Sequence, residues 1–294
     1  MQKFDLKPSR ENLAAIKEDM RKEIEACIPL QRELALLKVD ELTISNSLGV
    51  LSDYVHTLKE VEACRQAGRC LHDNQYHNYT LQYHHPFISL VPTVCPVFFE
   101  KQTLMAKFAY KDFPLEMLEM NAENLPTRRS FAPFVRELIA MYRGSVKTIF
   151  AYGDHGIGKL ETALPFLKKI VQEQKDVTVG VFHYPTFIRQ YAGDYYANKA
   201  TIDQYIDSLT AVDYLIINDF GNEETNKLVR EAITFPLITG RIHQKKATIF
   251  LSEMSLSSIS RLYDFSGKDV RSQQIISTIT HAITEEIFLT GTKI

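Results

Sequence analysis

The run Gly153-Asp154-His155-Gly156-Ile157-Gly158-Lys159 has the spacing G-x-x-x-x-G-K. Glycines spaced in this way let backbone N–H groups converge on phosphate oxygens. A following helix adds the positive end of its dipole, and the lysine reaches the outer phosphates. All seven residues are therefore nucleotide-binding candidates. The next position ordinarily carries Ser or Thr, whose hydroxyl ligates Mg²⁺, but here it is Leu160, which has no oxygen to offer. Thr162 lies two residues further on, on a different face of the helix. The other half of such a site is a strand ending in acidic residues. Tyr214 to Gly221 (YLIINDFG) provides it, with Asn218 at the first acidic position and Asp219 at the second. An amide brings no charge to Mg²⁺, so weak Mg²⁺ retention is expected, and hydrolysis loses much of its electrostatic stabilisation. Asp219 is the catalytic candidate that remains.

A second cluster is Cys64-x5-Cys70-x6-His77-x17-Cys95. Three thiolates and an imidazole are the ligand set of a closed tetrahedral zinc site, and a short module with weak apolar periodicity needs such a staple. The spacing is not that of a standard finger, and His72, His84 and His85 compete with His77 for the fourth position. Cys27 stands apart on the first helix and reads as a small buried apolar residue.

Two kinds of scaffold surround these residues. Residues 8–41 carry apolar side chains at helical spacing (Leu13, Ile16, Met20, Ile24, Ile28) and break near Pro29; a second helix runs from Ser45 to about Cys64. From there to about Glu100 the texture is Cys, His, Tyr, Asn and Pro, with β-like runs at Tyr79–Tyr83 and Phe87–Val91. Residues 101–127 carry turn signals at Pro114 and Pro126 and read as a linker. After residue 128, strands (146–152, 177–183, 213–218, 247–252) alternate with helices (130–143, 159–174, 185–191, 202–209, 225–240). That pattern predicts an α/β fold with a mostly parallel sheet covered on both faces. The expected domains are therefore 1–100, a linker over 101–127, and 128–294.

The 294 residues hold 45% hydrophobic and 24% charged side chains, which excludes a wholly disordered chain. Lys+Arg 34 against Asp+Glu 36 excludes a general polycation, so any nucleic-acid contact must be local. Arg128, Arg129, Lys168, Lys169, Arg241, Lys245 and Lys246 are the residues from which a DNA-tracking face would be made. No apolar run approaches the roughly 20 residues that span a bilayer, and the first residues lack an apolar core, so a cytoplasmic address without membrane contact is expected.

Taken together, the Cys/His module, YGDHGIGK, LIINDFG, Gly240-Arg-Ile-His-Gln and TIFLSEMS resemble the DnaI family of bacterial primosomal helicase loaders, over nearly the whole chain. The resemblance implies an N-terminal zinc domain that touches the replicative DNA helicase. It also implies a C-terminal AAA+ ATPase domain that binds ATP or ADP with Mg²⁺, and single-stranded DNA. Other primosome proteins and assembly with the helicase hexamer follow from it as further partners. The family's zinc ligands match Cys64, Cys70, His77 and Cys95, with the family's closely spaced Cys pair opened here. Lys159 matches the phosphate lysine and Asp219 the second acid. Leu160, Asn218 and Glu253 depart from the family's hydroxyl, first Asp and sensing Asn. Of the family's C-terminal arginines only Arg271 is matched, Gln274 and Thr278 standing at the other positions. These departures imply a loader whose ATPase has decayed. The alternatives are a nucleotide-independent adaptor of replication initiation and an ATP-binding transposition helper.

Overall fold

The computed structural model describes residues 10–72, 76–120, 128–191, 199–265, 267 and 269–293. The chain divides into two compact units, residues 1–103 and 104–294.

In the first unit α1 (Arg10–Ala26) and α2 (Ile28–Leu37) are separated at Cys27, and Pro29 sits in the first turn of α2, where its missing N–H costs nothing. Helices α3 (Glu41–Asn46) and α4 (Leu48–Ala67) follow. The carboxylate of Asp40 caps α3, accepting from Thr43 N at 2.7 Å. The two β-like runs form an antiparallel hairpin, β1 (Asn78–His84) and β2 (Phe87–Thr93), registered from Asn78↔Thr93 to His84↔Phe87. Leu81 and Ile88 turn inward to join Ile24, Leu30, Leu34, Leu51, Tyr54 and Val55 in one core. Ile88 N donates to Ser47 Oγ at 2.9 Å, which ties the hairpin to the start of α4. Helix α5 (Pro96–Ala106) runs across the division between units.

The second unit is a six-stranded parallel sheet in the order β3-β5-β6-β7-β4-β8. Its strands are β3 (Phe108–Lys111), β4 (Thr148–Tyr152), β5 (Val179–His183), β6 (Tyr214–Asn218), β7 (Ala247–Ser252) and β8 (Glu286–Phe288). The inner strands are apolar and buried nearly end to end, as a sheet covered on both faces requires. Residue parity assigns the faces. Ile149, Val181, Ile216 and Ile249 pack on α6 (Ala132–Tyr142) and α7 (Lys159–Glu173). Phe150, Phe182, Leu215, Ile217 and Phe250 face the opposite layer of helices. That layer comprises α8 (Tyr184–Tyr191), α9 (Lys199–Ala211), α10 (Lys227–Val229), α11 (Phe235–His243), α12 (Leu256–Tyr263) and α13 (Val270–Ala282).

The expected α/β parallel sheet with helices on both faces is thus observed, with differences at its edges. The segment read as a linker is built into the second unit wherever it is described beyond residue 106: β3 pairs with β5 as the sheet's edge, and Phe113 and Leu118 lie buried in the core. A four-residue strand is too short to show alternation, so only its apolar residues betrayed it. The helix expected over 225–240 contains a wide π-type turn at Arg230–Thr234, two residues before Pro236, which has no N–H to give to a regular ladder. Among the described residues, no helix is long and apolar enough to cross a membrane.

Candidate functional site

In an open parallel sheet the ligand side lies beyond the carboxyl ends of the strands. Strands β6, β7 and β4 are consecutive neighbours, paired Ile217↔Phe250 and Tyr152↔Ser252. The residues that leave their carboxyl ends are Asp219, Glu253 and the loop Gly153–Gly158, and the register brings these together. The loop turns through left-handed glycines at Gly156 (φ 75°) and Gly158 (φ 92°), the second of which opens α7. The loop thus has the strand-to-helix placement that the spacing predicts, between β4 and α7.

Lys159 is buried at the base of this loop. Its ammonium donates to Gly153 O at 2.7 Å and Asp154 O at 2.8 Å. Burial pulls its pKa below the ordinary value, against the opposing pull of Asp219, Glu253, Asp154 and Glu161. Leu160 packs against the core of the α6–α7 face, so its side chain supports the sheet. The Thr162 hydroxyl is committed to Gly158 O at 2.7 Å within the helix and does not substitute for the missing ligand.

Asp219 adopts φ 57°, a left-handed conformation that Asp tolerates better than most residues. Its Oδ2 lies 2.9 Å from His183 Nε2 and accepts from Asn218 Nδ2 at 3.3 Å. His183 ends β5, opposite Asn218 in the register. Sequence reading did not single it out, because only the strand order makes β5 and β6 neighbours. His155 Nδ1 lies 3.0 Å from Glu253 Oε1, and the ligand atoms of His155, Asp219 and Glu253 all fall within 4.8 Å of one another. Arg128, named from the sequence only for a DNA-tracking face, donates to Ile157 O at 2.6 Å and steadies the loop from outside.

The backbone at Gly153 is pressed against Leu289, whose N donates to Tyr152 O at 2.8 Å. A Cβ placed on Gly153 would stand 2.2 Å from Leu289 O. Arg271 spends its guanidinium on Gln274 Oε1 at 2.8 Å and on the Phe235 ring, 4.2 Å from its centroid.

In the first unit the thiols of Cys64, Cys70 and Cys95 converge within 4.8 Å of one another, from the end of α4, the loop after it and the residue before α5. A tetrahedral zinc with Zn–S near 2.3 Å places sulfurs about 3.8 Å apart, so the donor set fits that ion. Burial pushes the Cys70 thiol pKa up, with Cys95 and Cys64 adding to it. His77 is placed elsewhere among the described residues: its Nε2 lies 3.3 Å from Glu60 Oε2 and its ring lies 4.1 Å from that of His72. Glu60, His72 and His77 thus group one helical turn before Cys64. His85 pairs with Asp40 at 3.0 Å. Cys27 is half-buried against the first unit's core, as expected of a small apolar residue.

Of the basic residues named from the sequence, Arg241 is withdrawn from any DNA-tracking face. It is fully buried and donates to Leu209 O at 2.6 Å, Val212 O at 2.8 Å and Ala247 O at 2.6 Å. Carbonyls from two chain segments, the end of α9 and the start of β7, solvate its charge in the interior. Lys246 is engaged with Asp213 at 2.8 Å, and Lys169 lies over the Tyr142 ring.

No family model matches the chain, and no curated protein matches it. Solved structures do. The crystal structure of DnaI is similar at 16% identity, with a TM-score of 0.54 over 65% of this chain and 98% of that one. A protein from Streptococcus pyogenes serotype M3, assigned provisionally as a primosome component, is similar at 19% identity, with a TM-score of 0.51 over 65% of this chain and 97% of its own. A six-stranded parallel sheet between two helical layers, with a glycine loop at the carboxyl end of β4, is therefore a fold shared with the crystal structure of DnaI.

Proposed function

We propose that the chain is a helicase loader of DNA replication. In this reading the first unit, stapled by zinc at Cys64, Cys70 and Cys95 with one imidazole, docks on the replicative DNA helicase. The second unit binds adenine nucleotide at Gly153–Lys159 and contacts single-stranded DNA, and its hydrolysis is impaired. The observation that carries the reading is the glycine loop at the strand-to-helix turn of a fold shared with DnaI over almost the whole of that structure. The loop N–H groups would hold the phosphates once Lys159 turns from Gly153 O and Asp154 O toward them. Mg²⁺ would supply charge neutralisation, but Leu160 has no ligand for it and Asn218 brings no charge.

The test is capture of the replicative helicase from the same cell by the full chain, with and without ATP or ADP. Capture that Lys159→Ala leaves intact but makes insensitive to nucleotide is the expected result. Absence of capture under every condition overturns the reading. A second reading, an adaptor without a nucleotide cycle, is favoured by the engagement of Lys159 with its own loop; capture equal in all nucleotide states would establish it.

A further inference from the structure

We propose that His155, Asp219 and Glu253 form a site for a divalent first-row transition ion at the mouth of the glycine loop, which shares only Asp219 with the shell expected for a nucleotide's Mg²⁺. The three residues leave the carboxyl ends of β4, β6 and β7, so their spacing is fixed by the sheet register and not by flexible side chains alone. Their ligand atoms lie within 4.8 Å of one another, and His155 Nδ1 already lies 3.0 Å from Glu253 Oε1. Metal–ligand bonds of about 2.0–2.2 Å place tetrahedral donors about 3.4 Å apart, so closure asks for a movement of at most about 1.4 Å. His155 can make it, because its side chain is 73% exposed whereas that of Asp219 is only 14% exposed.

The donor set decides the ion. One imidazole with two carboxylates suits Zn²⁺, Mn²⁺ or Fe²⁺, while Mg²⁺ and Ca²⁺ gain little from a nitrogen ligand. The surroundings are those of a ligating carboxylate. His183 Nε2 and Asn218 Nδ2 both reach Asp219 Oδ2, an outer set of contacts that orients the carboxylate. The ammonium of Lys159, the nearest competing cation, is turned onto two backbone carbonyls. The two substitutions that weaken an ordinary Mg²⁺ shell, Leu160 and Asn218, remove none of these three donors.

The probe is Mn²⁺ added to the full chain in the absence of nucleotide, with free Mn²⁺ followed by electron paramagnetic resonance. One site that depends on His155 should appear. His155→Ala and Glu253→Gln should each weaken it at least about tenfold, the lower end of what losing an outer partner alone costs, and His183→Ala about tenfold. Cys64→Ser should leave it unchanged, which separates it from the thiol cluster, and equimolar Mg²⁺ should fail to displace the ion. Circular dichroism of His155→Ala should match the parent, since the residue is on the surface. No Mn²⁺ bound, equal binding by His155→Ala, or displacement by equimolar Mg²⁺ each overturns the proposal. Because no nucleotide is present, none of these outcomes bears on whether the loop binds one.

Discussion

Lys159 and Leu160 are adjacent in sequence, yet one points into the phosphate loop and the other into the core. That divergence separates the two roles: the leucine is held by packing, independently of what the lysine touches. Steady-state phosphate release with helicase and single-stranded DNA should therefore stay at the level of a Lys159→Ala control. The Leu160→Thr, Asn218→Asp double variant should first gain Mg²⁺-dependent nucleotide binding, seen by titration with and without Mg²⁺. Hydrolysis should not follow from that alone, because Arg271 is spent on Gln274 and Phe235 and an arginine finger is worth about 10³–10⁵ in rate. At Arg241 the logic is opposite, since a charge is buried for structure. Arg241→Ala would leave the carbonyls of Leu209, Val212 and Ala247 without their donors, and urea unfolding should show a loss of about 3 kcal/mol or more.

Among the elements, the sheet's entrance end is held by one side chain. Asp213, just before β6, accepts from Thr178 N and Oγ1 at 3.0 and 2.9 Å and from Lys246 Nζ at 2.8 Å, joining the approaches to β5, β6 and β7. Partial burial pushes its pKa up, but Lys246 and Thr178 outweigh that and hold it below the ordinary 3.8. A carboxylate with a lowered folded-state pKa contributes stability above its unfolded value and loses it as pH falls through the folded one. Asp213→Asn should thus cost about 1 kcal/mol at pH 7. It should also flatten the acid limb of the stability curve below 3.8, as urea midpoints across pH will show.

The edges of the sheet mark what a one-dimensional reading reaches. The long inner strands and α7 were legible because apolar runs and the glycine loop are local signals. β3 and β8 were not, being four and three residues long and recognisable only by the neighbours they pair with. His183 was missed for the same reason, while Arg241 was misplaced because charge in a sequence says nothing of burial. The Cys trio was legible as chemistry, but His77 was drawn from it by Glu60, a partner that spacing does not reveal.

At the scale of the molecule, the two units have separate cores, so each should respond alone to insults at its own staple. Full-length protein prepared without chelator should carry about one zinc per chain. Cys64→Ser or Cys95→Ser should lose it and render the first unit protease-sensitive, while a fragment beginning near residue 104 persists. Mass spectrometry of the digest, beside metal analysis, distinguishes this from global unfolding, in which both units disappear together. The close approach of Leu289 to Gly153 bears on how such chains are to be read across time. Drift that abandoned nucleotide altogether would still be barred from replacing Gly153, because any side chain there collides with the segment that follows β8. The first glycine of the signature is thus kept by the architecture itself and bears no witness to phosphate.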